Sequence, residues 1–136
     1  MTEPESWDKG LVKLYEALAN DFVYANPRDM LIFGDNHDMD RVFTSLKKNP
    51  ELIQMAMTYL LTIRGIPQVY YGTEIAIENS AKPGDHGLIR SDFPGGWKED
   101  TMNGFTGAGL TADQLTLQAY LRKLLNWRKN NPVIHT

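Results

Sequence analysis

Two clusters of side chains in this sequence have the types and the spacing for chemistry. Asp35, Asn36, His37 and Asp38 follow the apolar run Met30-Leu31-Ile32-Phe33, and Glu74 follows a second apolar run that ends at Tyr71-Gly72. Carboxylates, an imidazole and an amide fixed at strand ends can exchange protons or hydrogen bonds with a polar substrate. A carboxylate pair such as Asp38 and Glu74 has the composition of a glycosidic or other hydrolytic site. A plainer reading is equally open, in which Asp35 or Asp38 caps the next segment and Glu74 forms a local salt bridge.

Other chemistries fit worse. The chain has no cysteine, which removes thiol nucleophiles, disulfides and thiolate metal sites. His37 with Asp35 or Asp38 offers some metal ligands, but His86 and His135 stand at no metal-ligand spacing from it, so no metal is expected. Neither a Gly-x-Ser-x-Gly elbow nor a phosphate-binding glycine loop is present. Trp7 and Trp127 lie in or beside expected helices and read as core or interface residues. Trp97, in Phe93-Pro94-Gly95-Gly96-Trp97, reads either as a ring for stacking on a flat ligand face such as a sugar or as a pin for its loop.

The elements that must position these groups follow from periodicity and punctuation. Leu11, Leu14, Tyr15 and Leu18 recur at helical spacing, which predicts a helix over 8–20 capped by Ser6 or Asp8. The run at 30–33 has no alternation, as in a strand buried on both faces of a parallel sheet. Asn49-Pro50-Glu51 supplies a cap, a first-turn proline and an early negative charge for a helix over 50–64, apolar almost all round and ended by Arg64-Gly65. A second strand is expected over 67–71, with Pro67 tolerated near its start. Residues 75–110 read as a long glycine-rich connection, and Thr111-Ala112-Asp113-Gln114 as a capping box opening a helix over 112–129. Helix, strand, helix, strand, loop and helix in that order predict an α/β unit with parallel strands and right-handed crossovers. Their polar clusters fall at the carboxyl ends of the strands, where active sites of such folds gather.

Composition narrows the partners. Among 136 residues, 14 are Lys or Arg and 17 are Asp or Glu, a net charge of −3 without any basic block. Neither nucleic acid nor an anionic membrane is expected as a partner. The apolar stretch Leu52–Ile63 is too short for a membrane span, which needs ~20 residues. The acidic N-terminus, Met1 to Ser6, lacks the apolar core of a signal peptide.

The strand-end residues resemble a known family. Phe33-Gly34-Asp35-Asn36-His37-Asp38 is similar to the fourth signature region of the α-amylase family of glycoside hydrolases, roughly Phe-x-x-Asn-His-Asp, at the end of the seventh barrel strand. Gly65-Ile66-Pro67-Gln68-Val69-Tyr70-Tyr71-Gly72-Thr73-Glu74 resembles the Gly-x-Pro-x-x-x-x-Gly-x-Glu region at the eighth strand. Arg90-Ser91-Asp92-Phe93-Pro94-Gly95-Gly96-Trp97 resembles the following loop of neopullulanase- and cyclomaltodextrinase-like members. The resemblance implies that Asp38 matches the third catalytic carboxylate, which grips sugar hydroxyls at the cleavage point and neither attacks nor protonates. It implies that His37 hydrogen-bonds the same sugar and that Arg41 matches an arginine near that subsite. Gly65, Pro67, Gly72 and Glu74 match positions that shape the strand and its turn, which argues against Glu74 as an acid or base. The implied substrate is an α-glucan or maltooligosaccharide. The family often binds calcium elsewhere in its barrel; this stretch has no calcium loop, and no cofactor is expected in it.

The family's nucleophilic aspartate and acid/base glutamate lie on earlier strands without counterparts here. A complete (β/α)₈ barrel needs ~250 residues. The expected architecture is therefore a partial TIM barrel, its last two parallel strands with their helices, residues 1–136 being one piece of the catalytic domain. The isolated chain is expected to be inactive, either as part of a retaining α-glucan hydrolase or, alternatively, as a non-catalytic assembly or carbohydrate-binding piece. An exposed inner strand face including Ile32 and Tyr70 predicts self-association or docking to the missing N-terminal part of the barrel.

Overall fold

The computed structural model describes residues 6–134; the Met1–Glu5 part of the acidic N-terminus and His135 lie outside the described residues. Two parallel strands, β1 (Leu31–Phe33) and β2 (Ile66–Gln68), pair in the register Leu31 to Ile66, Ile32 to Pro67 and Phe33 to Gln68. The helix between them, α3 (Pro50–Thr62), makes the crossover. Ile66 donates its N–H to Met30 O across the ladder at 2.9 Å. Alternate residues of a parallel strand face opposite edges, so Pro67 has its missing N–H on the open side and costs no ladder bond.

Local signals explain the helix starts. Asn49 accepts from Leu52 N at 2.9 Å, with Pro50 and Glu51 in the first turn of α3. The helix α5 (Ala112–Lys129) opens on a complete capping box between Thr111 and Gln114. It packs on α3, and Leu117 and Leu121 join Ile53, Met57, Leu60 and Leu61 in the core, with Val42 and Leu46 beside them. These last two belong to a short helix, α2 (Val42–Ser45), and to the residue after it.

Several expectations need correction. The first helix, α1 (Val12–Ala19), starts later than residue 8, and Leu11 stands at its N-cap with no side-chain cap bond; Ser6 bonds the Asp8 side chain instead. None of its residues is buried, so its apolar stripe has no core to cover. An Arg64–Asp21 ion pair ties the following turn to the body, and a groove of about 690 Å³ separates α1 from β1 and α3. The third helix ends at Thr62 and leaves Met55 exposed. The second strand stops at Gln68 rather than Tyr71. The long connection contains a 3₁₀ turn (Thr73–Ile75) and a short helix, α4 (His86–Ile89). The face of β1 is also reversed: Leu31 and Phe33 are exposed while Ile32 packs against the core. Trp7 is 92% exposed and Trp127 also lies at the surface, so neither is a core residue.

Candidate functional site

Because β1 and β2 are parallel, the segments after both emerge on one side and meet there. Asp35 is buried and joins them: Oδ2 accepts from Val42 N at 2.9 Å, and Thr73 Oγ1 lies 3.2 Å from Oδ1. Asp35 therefore satisfies the first N–H of α2 from outside the helix, whose N-cap is Arg41. Burial pushes its carboxyl above the ordinary value, opposed by the Val42 and Thr73 hydrogen bonds and the Arg41 charge. Between Asp35 and Val42 the chain makes an exposed turn, in which Asn36 Oδ1 accepts from Asp38 N at 2.8 Å. This turn presents His37 and Asp38 to solvent, with His37 Nε2 3.2 Å from Asp38 Oδ2.

A second element completes the cluster. Arg90, at the C-terminal end of α4, donates from Nη2 to Asp38 Oδ1 at 2.9 Å and from Nε to His37 O at 3.0 Å. The same Nη2 lies 2.8 Å from His86 Nδ1, one turn back on α4. Arg90 donates, so His86 accepts through an unprotonated Nδ1.

Arg41 departs from the expectation of a sugar contact. It is 0% exposed, its guanidinium 4.1 Å over the Tyr70 ring and 4.9 Å from that of Tyr71, with Nη1 donating to Tyr71 O at 2.5 Å. Tyr71 in turn donates its hydroxyl to Ser91 O at 2.9 Å, next to Arg90. The arginine, three residues after Asp38, thus braces the segment just after β2. Glu74 is half-buried in the 3₁₀ turn, and no hydrogen bond or ion pair among the described residues joins it to Asp38 or makes the local salt bridge of the alternative reading. Gly65 and Gly72 have positive φ, +107° and +84°; a Cβ at Gly72 would lie 2.2 Å from Ile77 Cδ1, so this turn closes only on glycine. Trp97 is 64% exposed, its Nε1 donating to Asp92 Oδ2 at 3.1 Å and its backbone N–H to Asp100 Oδ2 at 3.0 Å. The ring edge is held and much of its surface is open.

A family model for the alpha amylase catalytic domain matches residues 2–131. The chain belongs to the α-amylase family. It is 31% identical over 127 residues to a cyclomaltodextrin glucanotransferase of Thermoanaerobacterium thermosulfurigenes, covering 92% of this chain and 14% of that protein. An α-amylase of Niallia circulans is 35% identical over 82 residues, 60% of this chain and 15% of that protein. Among solved structures, the α-amylase of Geobacillus thermoleovorans in complex with acarbose superposes with a TM-score of 0.67 at 30% identity, over 94% of this chain and 25% of that one. The chain thus spans about 14% of the length of the glucanotransferase relatives it matches first. What it holds is part of an α-amylase-family barrel, a small parallel sheet with helices rather than a closed barrel.

Among the described residues no group of three or more His, Asp or Glu side chains could hold a metal ion. No helix among them is long and apolar enough to cross a membrane. In the sequence Arg90 stands within the Arg90–Trp97 motif, and His86 stands at no metal-ligand spacing from His37. The four-residue spacing of His86 and Arg90, one helical turn on α4, is the signal that puts them on one face.

Proposed function

We propose that Asp38 is the third, transition-state-stabilising carboxylate of a retaining α-glucan hydrolase or transglycosylase, and that His37 binds the same sugar. What carries the reading is the exposed Asp38 carboxylate at the carboxyl end of β1, ion-paired to Arg90 and flanked by His37, in a chain of the α-amylase family. Acceptors and donors fixed on a strand end strengthen their bonds to sugar hydroxyls as positive charge develops at the reacting carbon, an effect worth several kcal/mol in glycoside cleavage. Arg41 contributes through Tyr70 and Tyr71, rather than by touching the sugar. Gly65, Pro67, Gly72 and Glu74 shape the second strand and its turn. Maltooligosaccharide is the ligand class that fits this reading, and the missing N-terminal part of the barrel is the partner that would supply nucleophile and acid/base.

The isolated chain is inert on this reading, since the family's nucleophilic aspartate and acid/base glutamate lie on earlier strands that have no counterpart in this sequence. Incubation of the 136-residue protein with maltooligosaccharides, pullulan and cyclodextrin is expected to release no reducing ends above background. Turnover that disappears in Asp38→Asn would refute inertness. A full-length protein carrying this stretch that keeps its activity with Asp38→Asn would refute the assignment of Asp38.

A further inference from the structure

Asn79 is 1% exposed, a buried amide in the connection after β2 that belongs to no motif. Its side chain bonds entirely to the segment after β1. Oδ1 accepts from the backbone N–H of Arg41 at 3.0 Å, and Nδ2 donates to Asp40 Oδ1 at 2.6 Å. Its own N–H donates to Thr44 Oγ1 at 2.8 Å. Asp40 Oδ1 takes a further bond, from the backbone N–H of Gly84 at 2.7 Å. One carboxylate oxygen thereby links the residue two places after Asp38 to the stretch leading into α4, and α4 ends on Arg90.

We propose that Asn79, with Asp40 and the Gly84 N–H, is the positioning node that brings Arg90 onto Asp38. The Arg90–Asp38 ion pair is exposed, and such pairs contribute little on their own, so it does not hold two loops together by itself. A buried amide bonded on both sides does, because parting the loops leaves its donors and acceptor unpaired away from water. The turn carrying His37 and Asp38 has two ends. Asp35 ties the near end to Thr73 and, through the Val42 N–H, to the far end; Asn79 ties the far end, at Asp40 and Arg41, to the connection after β2. Arg41 also grips the far end, through Tyr71 O in the segment after β2, and the Tyr71 hydroxyl carries that grip to Ser91 O just past α4; the Asn79–Asp40 link instead reaches the stretch before α4, at Gly84. The consequence for sugar rests on the reading of Asp38 above; the positioning of Arg90 does not.

NMR of the ¹⁵N-labelled 136-residue chain tests this. The Arg90 Nε–H, bonded to His37 O, is the probe, and the variants are Asn79→Ala, Asp40→Ala and the two combined. Expected in each variant are joint changes in the signals from Asn36 to Arg41 and from His86 to Ser91, and exchange of the Arg90 Nε–H about tenfold faster or more. The amides of α3 and α5 keep their protection, and the double variant goes no further than the single ones. Unchanged Arg90 protection in Asp40→Ala overturns the node, as does a loss spread evenly through α3 and α5. Asp40 is only half-buried, so this variant decides the matter if Asn79→Ala does not fold. Titration with maltoheptaose separates the two readings. Wild-type binding weakened about fivefold in Asp40→Ala supports both. No wild-type binding, with the NMR changes present, refutes the sugar reading and leaves the node standing; binding equal in both proteins refutes the node's bearing on sugar.

Discussion

Arg41 combines a buried charge with incomplete pairing. Its Nε and Nη2 have no hydrogen-bond partner among the described residues, while Nη1 bonds Tyr71 O and the guanidinium plane lies on Tyr70. Desolvating a cation is costly, and here the offset comes from the ring faces and one carbonyl. Arg41→Ala removes both and leaves a cavity, for an expected loss of about 3 kcal/mol, read as a lower urea midpoint. Arg41→Lys recovers little of it, because an ammonium cannot lie flat on Tyr70 while reaching Tyr71 O. Full stability in Arg41→Ala would show that the stacked arrangement contributes nothing. The family resemblance marked Arg41 as lying near the subsite, yet its burial depends on tyrosines about thirty positions away, and no local pattern encodes that. The Arg90–Asp38 pair, 52 positions apart, was hidden for the same reason.

At the scale of elements, the join between β1 and β2 turns on Gly65. Its φ is +107°, and a Cβ there would stand 2.8 Å from Met30 O, the carbonyl that receives the Ile66 N–H. Gly65→Ala therefore strains the backbone and pushes at the first ladder bond, costing about 2 kcal/mol or more. Thermal unfolding of the variant checks this; an unshifted midpoint would mean the loop relaxes freely around the methyl. Helix starts were legible because their signals are local: Asn49-Pro50-Glu51 and Thr111-Ala112-Asp113-Gln114 each carry their own caps. The face of β1 was not legible, since four apolar residues in a row carry no alternation to say which side meets the core. Nor were α2 and α4, whose few residues are held by Asp35 and Asp85 rather than by any periodicity.

For the whole molecule, the decisive fact is apolar surface without a cover. Among the described residues each strand has a partner on one side only, and Leu31 and Ile66, paired in register, are 54% and 53% exposed. Phe22 and Tyr15 add to the uncovered surface on the side of α1. Open strand edges beside exposed aliphatic and aromatic side chains favour association. Light scattering is expected to give a mass that rises with protein concentration, with binding of a hydrophobic dye at low concentration. A stable monomer that binds no dye would contradict this. Association through this surface would leave the His37–Asp38 turn free, because that turn leaves the sheet at its carboxyl edge.

The connection after β2 also bears on how this stretch tolerates change. Its length and its glycines suggest a segment in which substitutions drift freely. The fully enclosed Asn79 and the Gly72 turn, closed against Ile77, make parts of it as unforgiving as the interior. Tolerance there follows the partners of each residue rather than its distance from a helix or strand, so neutral change should collect at open positions such as Lys98 and Glu99 and spare the node.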